Sequence, residues 1–115
     1  MKKIIKQKTI VPIYGAHVWL VVSPEIHKAR IEMQHIFGPA PERHDYDALC
    51  SYDEKGAFGL FFSPNTLTSR TIAHEIFHLT HAILKWCNCP FDKDHDEYAA
   101  MLCAYITDWV MQKIK

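Results

Sequence analysis

Two short runs rich in β-branched and aromatic residues, 9–14 and 17–22, open the chain and read as strands separated by Gly15. Pro12 cannot donate to a ladder, which makes the first run an edge strand. Ser23-Pro24-Glu25 then reads as a helix start, with a Ser cap, proline at the first helical position and an acid in the first turn. Ile26, Arg30, Met33 and Phe37 recur at helical spacing until Gly38 and Pro39 stop the helix. After a loop over 39–45 the rhythm returns to alternation in runs 46–52 and 57–62. Asp53-Glu54-Lys55-Gly56 between them favours a hairpin. In the second run Phe58, Leu60 and Phe62 face one way, and Ala57, Gly59 and Phe61 the other. The small residues of that second face leave room for a close backbone or helix.

The strongest periodicity lies in 68–86, where Ile72, Ile76, Leu79, Ile83 and Trp86 gather on one side of a helix at ~100° per residue. His74, His78 and His81 fall on the opposite side. Residues 87–93, with Pro90, form a connection. A last helix runs over 94–114, with Asp94 and Asp96 at its positive end. Tyr98, Leu102, Tyr105 and Trp109 form its main apolar stripe. Glu97, Ala100, Met101 and Ala104 form a second, read as facing the histidine helix, with the alanines allowing close approach. No repeat, linker or low-complexity tract divides the chain, so residues 1–115 are expected to be one domain.

His74-Glu75-Ile76-Phe77-His78 matches H-E-x-x-H, in which two histidines one helical turn apart offer nitrogens to a single zinc ion. Glu75 between them is placed to take a proton from metal-bound water and pass it to a leaving amine, as in metal-assisted peptide hydrolysis. A catalytic zinc needs a third protein ligand and an open position. Glu97 is the first choice; Asp94, Asp96, His95 and His81 compete, although His81 lies about two turns from His74. His81, Tyr98 and Tyr105 are candidates for substrate or oxyanion contacts, and spacing does not rank them. Two readings stand beside the enzyme: a non-catalytic, zinc-stabilised protein-interaction module, and a metal-free helix whose histidine face binds a partner.

Composition narrows the classes. Lys plus Arg equals Asp plus Glu at 13 each, so no basic footprint for nucleic acid or acidic membrane is present. Lys2, Lys3, Lys6 and Lys8 read as a solvated end. The apolar run after them is broken by Pro12 and His17, unlike a secretory signal, and no segment reaches the ~18 apolar residues of a membrane span. Cys50, Cys87, Cys89 and Cys103 are too irregular for a disulfide framework and read as cytoplasmic thiols. Cys87-Asn88-Cys89 with His95 fits no common zinc knuckle.

Thr71 to His78, then Asp96-Glu97-Tyr98-Ala99-Ala100 with Tyr105 behind it, resembles the minimal zincins, small HExxH proteins often encoded by bacteriophages and prophages. The resemblance covers about 57–110. It implies an α+β, zincin-like fold: a small, mostly antiparallel sheet packed on the HExxH helix and on a C-terminal helix supplying a Glu ligand. It also implies one zinc on His74, His78 and Glu97, with Glu75 as general base. The strand over 57–62 would be a substrate-lining edge for a specific protein or peptide. Thermolysin-like gluzincins place an Asp four residues after the ligand Glu; Met101 stands there in this chain, nearer to the minimal group. The alternative module would then dock on a protein of a phage or mobile element.

Overall fold

Strand β1 (Ile5–Ile10) pairs antiparallel with β2 (His17–Val22), Ile5 opposite Val22 and Ile10 opposite His17. The first strand therefore begins earlier than the apolar run over 9–14 suggests. Its middle residues Lys6, Gln7 and Lys8 are exposed, and such polar residues on an outer strand discourage pairing with another chain. Pro12 lies in the connecting turn, where the amide of Val11 donates to Ala16 O at 2.8 Å and that of Gly15 to Val11 O at 2.9 Å. Ile13 (φ 72°) and Gly15 (φ 70°) both adopt the left-handed region there.

The computed structural model describes residues 4–42, 46–89, 92–94 and 96–115. Its sheet is mixed and four-stranded, in the order β1-β2-β4-β3. Strand β3 (Ala48–Tyr52) runs antiparallel to β4 (Ala57–Phe62), as the hairpin signal required, and β4 runs parallel to β2. All six residues of β4 are buried. The expected edge at 57–62 is thus a central strand, paired on both sides, and β3 takes the outer position. Two of the three pairings are antiparallel and the β2–β4 pairing is parallel, in a sheet expected to be mostly antiparallel.

Helix α1 (Ile26–Glu32) and the one-turn helix α2 (Gln34–Phe37) replace the single continuous helix read from the periodicity. Glu25, not Ser23, holds the cap position, and Ser23 Oγ accepts from the Glu25 amide at 3.2 Å. The break at buried Met33 lets α2 lay Phe37 on the sheet. A Cβ at Gly59 would come within 2.7 Å of that ring, so the close approach expected at Gly59 is made by Phe37. Buried Arg30 holds the arrangement. Its Nε donates to Ser51 Oγ at 2.9 Å, and its Nη atoms donate to the carbonyls of Gly38 at 2.8 Å, Phe37 at 3.2 Å and Pro39 at 3.3 Å.

On the other face lie α3 (Ser69–Trp86) and α4 (Asp96–Lys113). The main core joins Val18, Leu20, Phe58, Leu60 and Phe62 of the sheet to Ile72, Ile76, Leu79 and Ile83 of α3. Helix α4 buries Ala99, Leu102, Ile106 and Val110. This corrects the expected stripe by about one position: Tyr98 and Tyr105 are exposed, and so are Glu97, Ala100, Met101 and Ala104. The sequence of α4 places apolar residues around much of its circumference, so periodicity alone did not select the packed face. A smaller core behind the sheet holds Val21, Ile26, Met33, Phe37 and Phe61. Among the described residues, no helix is long and apolar enough to cross a membrane.

Candidate metal and substrate site

Helix α3 is anchored at both ends beside β3. Thr66, in the short helical turn Pro64–Thr66, donates from Oγ1 to Asp47 O at 2.7 Å, and Thr68 Oγ1 caps α3 by accepting from the Thr71 amide at 3.2 Å. At the far end Trp86 Nε1 donates to Glu54 O at 3.2 Å in the β3–β4 turn, and its ring packs edge-on against Phe58. Buried Ile72, Ile76, Leu79 and Ile83 fix the rotation of the helix, which turns His74, His78 and His81 outward.

The His74 and His78 rings meet at 75° with centroids 4.8 Å apart, and their Nε2 atoms are 3.2 Å from each other. Two nitrogens each about 2.0–2.1 Å from a tetrahedral zinc would be separated by about 3.3 Å. The observed spacing of 3.2 Å is close to that separation. Glu75 Oε2 lies 3.9 Å from His74 Nε2, and the residue is 9% exposed. Burial pushes the Glu75 carboxyl above the usual carboxylate range, with His74 and then His78 opposing that shift.

Glu75 and His78 open into a groove of about 420 Å³ between α3 and the outer strand. The β3 wall is Ala48, Leu49, Cys50 and Tyr52; the helix wall continues through His81, Ala82 and Lys85. The Cys50 thiol is pushed up to about 12 by burial and then by the Glu75 charge, so it lines the wall as a neutral thiol. All four cysteines are free, and Cys89 Sγ lies 4.0 Å from the Cys87 carbonyl oxygen.

The candidate residues are thus divided between places. His74, Glu75, His78 and His81 share one helix face, with the His81 ring edge-on to Phe77. Tyr98 and Tyr105 line a different, apolar groove of about 580 Å³ with Ile13 and Met101. Asp96 and Glu97 are exposed in the first turn of α4, and Asp94 is exposed in the turn before it. His95 lies outside the described residues. Among the described residues, no group of three or more His, Cys, Asp or Glu side chains is assembled to hold a metal. Tyr52, Cys50 and Lys85 were not among the site residues read from the sequence. Lys85 was open to the same projection that found the histidines, being seven residues beyond His78; the two β3 residues required the tertiary pairing.

Comparison of this chain with protein-family models, with curated proteins and with solved structures finds no match.

Proposed function

We propose that this chain is a small zinc-dependent peptide hydrolase acting in the cytoplasm on a specific protein or peptide. The observation that carries the reading is the His74–His78 pair, with Nε2 atoms 3.2 Å apart, of which His78 lines a groove together with Glu75. His74 and His78 would hold the ion, and Glu97, exposed in the first turn of α4, is the proposed third ligand. Bound zinc supplies a Lewis acid that polarises the scissile carbonyl and acidifies a water molecule. Glu75 accepts a proton from the attacking water and returns it to the leaving amine. Its partial burial keeps the carboxylate close to the reacting atoms and favours the protonated form it must adopt midway. β3, with one described sheet partner, offers its free edge to an extended substrate beside the site.

The test is digestion of a denatured protein mixture by zinc-loaded wild type and by Glu75→Gln, with new peptide termini read by mass spectrometry. New termini from the wild type alone, with zinc content equal in both proteins, support the reading; the same termini from both proteins refute it. A second reading, a zinc-stabilised interaction module of a phage or mobile element, draws on the exposed Ile13, Tyr98, Met101 and Tyr105 around the apolar groove. That reading predicts identical biological activity for the Glu75→Gln protein.

A further inference from the structure

We propose that Lys85 selects the substrate of this groove: an extended peptide carrying a carboxylate side chain three or four residues N-terminal to the bond held at the histidine pair. The inference rests on the hydrolase reading and gives it a substrate class. Lys85 lines the same groove as Glu75 and His78. Seven residues after His78 it lies on the same helix face, about 10 Å farther along the axis. It is exposed and makes no ion pair among the described residues. The other residues lining the groove, apart from Glu75, carry no formal charge when the histidines are neutral. A substrate carboxylate that reaches the far end therefore meets a cation that no described residue holds in an ion pair.

The direction follows from topology. Ala48 pairs with Phe62, after which the chain enters α3, and Trp86 at the end of α3 bonds to Glu54 just beyond Tyr52. Strand β3 and helix α3 therefore run the same way. A peptide added antiparallel to β3 places its N-terminal residues over Tyr52 and Lys85. An extended chain advances about 3.3 Å per residue, so the spacing from the histidine pair to Lys85 corresponds to three or four residues. Tyr52, stacked on Phe58 at 6.4 Å, supplies an aromatic floor beside the cation.

Peptides ending in a C-terminal hydroxamate fix the register, because the hydroxamate chelates zinc. A series with one Glu moved from the first to the sixth position before the hydroxamate, in an otherwise neutral sequence, is titrated by fluorescence anisotropy. It is applied to zinc-loaded wild type, Lys85→Gln and Lys85→Glu. With wild type, Glu at the third or fourth position tightens binding about tenfold over the other positions. Lys85→Gln removes that preference, and Lys85→Glu reverses it, so that Glu at the third or fourth position binds more weakly than at the others. Equal affinity at every position, or a preference that survives in Lys85→Gln, overturns the assignment while the zinc site stands. If the protein holds no zinc and no hydroxamate binds, the hydrolase reading falls and the assignment falls with it.

Discussion

Glu75 carries a cost in the metal-free protein. Its folded carboxyl titrates above its unfolded value because of burial, so the protonated form favours the folded state. Stability from this group is present below the unfolded carboxylate range and is lost as pH rises through the folded value. Glu75→Gln should therefore raise the melting temperature of the metal-free protein at pH 7, with the gain shrinking toward pH 4, as followed by circular dichroism. Cys50 gives a second pH-dependent outcome. With its thiol pushed up to about 12, roughly one molecule in a thousand or fewer is thiolate at pH 8.5, so native-state iodoacetamide labelling should leave it unmodified. Its contribution to stability persists below the unfolded thiol range and is lost between there and about 12. Arg30 is the residue whose loss is felt most widely on the opposite face. Arg30→Met leaves the Ser51 hydroxyl and three carbonyls without their donor, at a cost of about 2–4 kcal/mol in urea unfolding.

At the scale of elements, the contact between α2 and β4 makes a sharp prediction. Gly59→Ala puts a methyl within 2.7 Å of Phe37, costing about 1–3 kcal/mol, and Phe37→Leu should restore part of it in a double-mutant cycle. The sequence displayed this element well, because Ala57 and Gly59 alternate with Phe58 and Leu60 after a polar turn ending in Gly56. It displayed α3 best of all: its apolar face is continuous, so the outward placement of His74, His78 and His81 followed from spacing alone. Strand β1 was hidden by its lysines, since an outer strand needs only Ile5 buried. Helix α4 was placed but misrotated, because Tyr98 and Tyr105 look as apolar as Ile106 and Val110 until packing against α3 chooses between them. The outer position of β3 was not legible, since strand order depends on the crossover that brings β2 beside β4. The groove shared that fate: its helix wall was readable from spacing and its strand wall was not.

Across the whole molecule, the sheet divides two jobs. Helices α1 and α2 seal the small core behind it, while the α3 face carries the histidines and borders the groove. A metal bound to the folded chain but not to the unfolded one would link the site to global stability, worth about 2.7 kcal/mol at a hundredfold excess over the dissociation constant. Added zinc should accordingly raise the wild-type melting temperature and leave His78→Ala unmoved. The central claim is that this histidine pair is a metal site, and the most direct measurement is zinc content per chain after purification without added metal, with His78→Ala alongside. The account predicts about one zinc per wild-type chain and none in the variant. A folded wild type that carries no zinc and cannot be loaded with it would contradict the account.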